Sequence, residues 1–154
     1  MQQRARQTDT PSTPPRPLGR DAVDVLGQIP LFAGLSRRHI GKIASCASTK
    51  RFASGAPLVR VGEPASVFYA IVDGEVRVEV PGRPVTLSTG DFFGEMALID
   101  GEPRSATVVA VGEVQVLMLP RAKFLKALEA EPKIALAIMA TMTGRLRALQ
   151  AAPA

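Results

Sequence analysis

From about Thr49 to Leu119 the chain breaks into short runs rich in β-branched residues: "PLVRV", "VFYAIV", "EVRVEV", "PVTLS", "SATVVAV" and "EVQVLML". Turn signals separate them, at Ser54-Gly55, Gly62, Asp73-Gly74, Pro81-Gly82, Gly90-Asp91, Gly101 and Gly112. Short strands at such close spacing argue for an antiparallel barrel, roll or jelly-roll sandwich. Asp73-Gly74, between two alternating runs, predicts a short hairpin. No sequence period recurs, so a repeat array is excluded.

Helical patterns flank this region. In "DVLGQIPLFAGLSRRHIGKIASCAST" Ser36 is a plausible N-cap, and Ile40, Ile43, Ala44 and Ala47 follow at helical spacing. Cys46 sits near that apolar face and is assigned to packing. His39, the only histidine, is expected to face solvent near the helix start. After Pro120, "RAKFLKALEAE" reads as a helix with Phe124, Leu125 and Leu128 on one side. Pro132 suits the first turn of a second helix, running to about Gln150. There Ala135, Met139, Met142, Leu146 and Leu149 follow spacings of 4, 3, 4 and 3, as in a coiled-coil seam. Two heptads do not hold a coiled coil alone, and Gly144 weakens the helix locally. The stripe therefore suits a dimer seam, packing on the sheet, or a cover over a ligand.

The predicted fold is mainly β with flanking α-helices, an antiparallel β-roll or jelly-roll of the double-stranded β-helix kind. The expected layout is a helical unit over 21–48, the β-roll over 49–119 and C-terminal helices over 121–150, all in one domain. Residues 1–20 carry four prolines and almost nothing apolar, and are expected to be disordered. Of the net charge of +5, the tail holds +3 and the rest of the chain +2. The high pI is thus no argument for nucleic-acid binding by the folded part. One cysteine precludes an internal disulfide, no apolar run approaches the roughly 18 residues of a membrane span, and the N-terminus lacks the apolar stretch of a secretory signal. A cytoplasmic location without a transmembrane segment is expected. A metal-dependent enzyme of this fold type needs several convergent His or carboxylate ligands, which His39 alone does not supply. No Ser-His-Asp or Cys-His arrangement is credible either. No enzyme, metal or cofactor is expected.

The stretch "GDFFGEMALIDGEPRSATVVA", Gly90 to Ala110, interrupts the strands and places Glu95 and Arg104 nine positions apart. Gly94 allows close backbone approach. "EMALID" predicts one helical turn beginning at Glu95, whose free N–H groups favour an anion. A guanidinium fork at Arg104 suits bidentate capture of a phosphate or carboxylate. Glu95, an acceptor when ionised, suits sugar hydroxyls. A sugar phosphate satisfies both. The competing reading is a surface ion pair between Glu95 and Arg104, which is worth little when exposed.

This stretch resembles the phosphate-binding cassette of cyclic nucleotide-binding domains, as in bacterial catabolite activator proteins and the regulatory subunits of cyclic AMP-dependent protein kinase. Phe93-Gly94-Glu95, Ala97-Leu98 and Pro103-Arg104-Ser105-Ala106-Thr107 fall in register. The likeness extends upstream through "GEPASVFYAIVDGEVRVEV" to "IPLFAGLS". The resemblance implies Glu95 on the ribose 2′-hydroxyl and Arg104 on the cyclic phosphate. It implies a cradle completed by Gly94, Met96, Ala97, Ser105 and Ala106. Ser105 is common among cyclic AMP binders, so cAMP is expected ahead of cGMP. Val67 departs from the pattern, because many members carry an aspartate there. An apolar cap over the base is expected from Ile134–Leu149. The implied function is a sensor that relays ligand through its C-terminal helices, with a scaffold acting through protein contacts as the alternative. No helix-turn-helix domain is expected after the last helix. If the chain is complete, output passes through a protein partner, self-association or ligand buffering.

Overall fold

A computed structural model describes residues 20–151. The expected disorder of the tail falls almost wholly outside that range, although its last residue, Arg20, already begins a helix. The order is α1 (Arg20–Gly27), a 3-10 turn (Pro30–Phe32), α2 (Arg37–Ala44), β1 (Ser48–Phe52), β2 (Pro57–Val59) and β3 (Val67–Glu79). Then follow β4 (Val85–Ser88), β5 (Phe92–Phe93), α3 (Ala97–Asp100), β6 (Thr107–Pro120), α4 (Arg121–Ala130) and α5 (Pro132–Ala151).

All strand pairings are antiparallel, and the two long strands β3 and β6 form the spine of the sheet. On one half, β1 adds to β6 and β5 to β3; on the other, β2 adds to β6 and β4 to β3. This is the predicted roll, with corrections at two of the expected turns. Asp73-Gly74 does not turn a hairpin; it lies inside the continuous strand β3. Between Asp73↔Gln115 and Glu75↔Val111 the ladder skips residues on β6, so the two strands bulge and bend together. Gly74 sits at φ +114°, and a Cβ there would lie 2.8 Å from the Glu113 carbonyl oxygen. The dipeptide supplies the left-handed freedom that a turn needs, and here a bulge uses it. Gly112 (φ +77°) likewise lies within β6 instead of ending a strand. "STKRF" and the pair Phe92–Phe93, which carry no alternating apolar signal, are also strands.

Because residues alternate across a strand, β3 feeds two cores. Phe68 and Ala70 join Leu117, Leu119, Phe124, Ile134 and Ile138 beneath the helices. Tyr69, Ile71 and Val76 join Val59, Val108, Val114 and Val116 inside the roll. Phe32 bridges the 3-10 turn to both β3 and α4, with ring centroids 6.5 Å from Phe68 and 6.1 Å from Phe124.

The α2 cap forms as predicted: the His39 N–H donates to Ser36 Oγ at 3.1 Å. Its apolar positions Ile40, Ile43 and Ala44 are buried. His39, however, does not face solvent; its imidazole lies 3.4 Å from Glu131 at the α4–α5 junction. The stripe on α5 also divides. Ile134 and Ile138 are the residues buried on the body, and Met142 packs partly with them. Met139, Leu146 and Leu149 point outwards, 53%, 59% and 74% exposed, and Ala135 is intermediate. The inward face follows the 3.6-residue period of a straight helix packed on a core, one position away from the predicted seam. Among the described residues no helix is long and apolar enough to cross a membrane.

Candidate functional site

After β5 the chain must leave the sheet, and Gly94 at φ +86° lets it turn. A Cβ on Gly94 would lie 2.7 Å from Arg104 Nη1 and 3.4 Å from the Val67 carbonyl oxygen. The glycine therefore makes room for the arginine as well as for the turn. The helix begins two residues later than predicted: Met96 is the N-cap and Ala97–Asp100 forms α3. Gly101, at φ +66°, closes it by donating its N–H to the Ala97 carbonyl at 2.9 Å, the αL ending that glycine favours. The Ala97 N–H donates back to the Gly94 carbonyl at 3.1 Å. The α3 N-terminus is thus partly closed on itself.

Arg104 is fixed at both levels. Its N–H donates to the Glu63 carbonyl and its own carbonyl accepts from the Gly62 N–H, both at 2.8 Å. Its guanidinium donates from Nη2 to the Val67 carbonyl, and Cζ stands 5.7 Å from the centroid of the Tyr69 ring. Tyr69 is itself stacked on Phe93, with centroids 4.9 Å apart. Burial pushes the Arg104 pKa below the ordinary arginine value, against the opposing pull of Tyr69 and Glu63. Burial also raises the Tyr69 phenol, with Arg104 opposing the rise. The side-chain anchor of the arginine is thus the main-chain oxygen of Val67.

Glu95 is in a different condition. Its side chain is 13% exposed and lies 3.7 Å from Arg145 Nη1 on α5. That distance is an ion-pair contact and falls outside hydrogen-bond range. Oε2 is buried without a hydrogen-bond partner. Buried acceptors in native proteins are nearly always satisfied, so an orphaned one needs an explanation. The surface pair between Glu95 and Arg104 does not form among the described residues: Glu95 meets Arg145, and Arg104 meets Val67.

Gly94, Glu95, Met96, Ala97, Arg104, Ser105 and Ala106 all line one cleft of about 480 Å³. Its other walls are apolar, chiefly Val59, Ala65, Val78 and Val108, with Asp100 and Glu102 at the rim. One carboxylate with spare acceptor capacity, one fixed guanidinium and an apolar wall together suit a small amphipathic anion bearing hydroxyls. Sequence reasoning missed three participants: Tyr69, Arg145 and the Val67 carbonyl. Alternation along "VFYAIV" was the available signal for Tyr69, since it puts that ring on the face opposite Phe68. Nothing local in the sequence announces the other two.

Known proteins agree with this geometry. A model of the cyclic nucleotide-binding domain matches residues 49–131. A cyclic nucleotide-gated potassium channel of Mesorhizobium japonicum is 40% identical over 111 residues, covering 72% of this chain and 31% of the channel. The N-terminal domain of a transcriptional regulator from Streptomyces coelicolor superposes with a TM-score of 0.76 at 29% identity, covering 85% of this chain and 98% of that one. The regulatory domain of Toxoplasma gondii PKA, solved with cAMP, gives 0.63 at 29% identity, covering 82% and 49%. The chain spans about a third of the curated relatives it matches. In fold, cassette and sequence, the chain belongs to the cyclic nucleotide-binding domain family.

Proposed function

We propose that this chain is a cyclic nucleotide sensor that takes cAMP ahead of cGMP in the cleft over the 94–106 segment. The buried Oε2 of Glu95, which accepts no hydrogen bond and meets Arg145 Nη1 at 3.7 Å, carries the reading. It is an acceptor awaiting a hydroxyl donor, and the ribose 2′-hydroxyl supplies one. Arg104 would hold the cyclic phosphate, with Ser105 and the backbone around Gly94, Met96, Ala97 and Ala106 alongside. The apolar wall of Val59, Val78 and Val108 suits the face of a purine. Ser105, where a threonine would favour cGMP by family resemblance, supports the adenine nucleotide.

The relay runs through α5. Arg145 ties the distal half of that helix to Glu95, so a donor that engages the carboxylate weakens its pull on the arginine. A ligand moves the helix only to the extent that it binds the two helix positions unequally.

Calorimetric titration of cAMP and cGMP into the wild type and Arg104→Lys tests the site. The wild type should bind, cAMP more tightly. Arg104→Lys, a point charge without the planar fork, should lose at least about 1.5 kcal/mol. No heat with either nucleotide in the wild type would overturn the sensor reading, and equal affinity in the variant would remove Arg104 from its role. The exposed Leu136, Met139, Leu146 and Leu149 support a second reading, a scaffold that self-associates along α5 without ligand. Sizing the protein with and without nucleotide separates the two, since a scaffold dimer would be indifferent to cAMP.

A further inference from the structure

The first residue of α4, Arg121, lies outside every role assigned so far, yet its main chain and its side chain bind the two segments that flank the site. Its N–H donates to the Ser66 carbonyl at 2.8 Å, one residue before the Val67 carbonyl that holds Arg104. Its guanidinium donates from Nη2 to the Ile99 carbonyl at 3.0 Å, in the last turn of α3. A helix end leaves its final carbonyls without intrahelical donors, and a guanidinium is well suited to supply one.

The fit between Arg121 and the turn is close. A Cβ on Gly101 would stand 3.1 Å from Arg121 Cζ and 3.2 Å from Nε. The glycine that closes α3 thus also makes space for this side chain. Arg121 Nε is buried without a hydrogen-bond partner, so the group accepts an unsatisfied donor in order to sit where it does. Placing only solvent-facing charge on α4 would not require that arrangement.

We propose that Arg121 is a positioning residue for the cassette, fixing the end of α3 to the start of α4 and to the Ser66–Val67 backbone. Displacement of α3 within the cleft is then delivered directly to the C-terminal helices, at the point where they leave the sheet. The connection to nucleotide affinity rests on the sensor reading above; the mechanical connection does not.

Arg121→Met keeps much of the stem and deletes the donors, while Arg121→Lys keeps the charge and loses the fork. Amide hydrogen exchange, measured without nucleotide, should accelerate about fivefold or more over Ala97–Glu102 in Arg121→Met, reflecting local opening. Exchange at Val114–Leu119 in β6 should stay unchanged. Arg121→Lys should fall between the wild type and the methionine variant. Affinity for cAMP should drop about tenfold in Arg121→Met, as expected for losing a charge-assisted bond at the site's edge. Unchanged exchange over Ala97–Glu102, or acceleration spread equally over β6, would overturn the positioning role. Accelerated exchange with wild-type affinity would overturn its bearing on the ligand. Should the methionine variant not fold, the lysine variant carries the same exchange criterion. If the wild type itself binds no nucleotide, the sensor reading fails and the exchange measurement still decides Arg121.

Discussion

Two carboxylates mark where the C-terminal helices meet the rest of the molecule, and their surroundings are opposite. Glu131, between α4 and α5, faces three basic side chains of α2: Arg38 at 3.5 Å, His39 at 3.4 Å and Lys42 at 3.5 Å. Desolvation pushes its pKa upward, but Arg38, then Lys42 and His39, outweigh it and hold the carboxyl below the usual range. Glu95, in the cleft, faces Arg145 alone, and its buried Oε2, the atom 3.7 Å from Nη1 of that arginine, accepts no hydrogen bond. The first group has its needs met by the fold and pins a junction. The second is held out of water with capacity left over, which the folded chain by itself does not use. Burial is similar, 23% against 13% exposed, so the difference lies in partners.

The contrast can be broken first at Glu95. Glu95→Ala should lower cAMP affinity by about 1.5–3 kcal/mol, the range for hydrogen bonds to charged groups. The melting temperature should hold or rise, because an orphaned acceptor is removed. Titration calorimetry with a thermal melt reads both, and a destabilised variant with normal affinity would erase the distinction. Glu131→Ala should do the reverse, lowering the melting temperature by a few degrees and leaving affinity unchanged, as expected for a separate cluster.

Acid sharpens the comparison further. A carboxyl with a lowered folded pKa contributes stability that is complete above its unfolded value, about 4.3. That contribution fades as pH falls below this value and through the lowered folded one. A melting series from neutral pH downwards should therefore show an acid-side loss that is shallower in Glu131→Gln than in the wild type. Superimposable curves would mean that the α2 cations do not stabilise the ionised form. The smallest effect belongs to Arg145, because a half-exposed ion pair is worth about 0.2–1 kcal/mol. Arg145→Gln should raise cAMP affinity slightly, as the competitor for Glu95 is withdrawn. A fall in affinity would instead place Arg145 among the groups that hold the nucleotide.

The sequence displayed the cassette because its shape is set locally. The turns at Gly94 and Gly101 close within a few residues, at the Ala97 N–H to Gly94 carbonyl bond and the Gly101 N–H to Ala97 carbonyl bond, while the anchors of Arg104 at Glu63 and Val67 come from further along the chain. The seven residues expected to line the site do line one cleft. Helix ends were equally legible, at the Ser36 cap and at Pro132, since a cap is a contact three residues long. Asp73-Gly74 was misread because hairpins and bulges draw on the same left-handed freedom; only the partner strand decides between them. Long-range partners left no trace. Glu131 is far in sequence from His39, as Arg145 is from Glu95, and no spacing rule links them. The α5 stripe divides for a subtler reason: apolar residues occupy more than one face, and only the body it packs on shows which face turns inward.

The anchoring of Arg104 by the Val67 carbonyl has a consequence for how this domain tolerates change. Every residue type has a main-chain oxygen, so substitution at position 67 should leave the arginine's anchor in place, provided β3 keeps its pairing. In a saturation library that position should read as permissive despite lying beside the most demanding side chain of the cleft. Sensitivity moves instead to whatever sets the strand register, such as Gly74 and the bulge it allows. A defect in ligand capture would then arise from a lesion well along the strand from the cleft, in a residue that never meets the nucleotide.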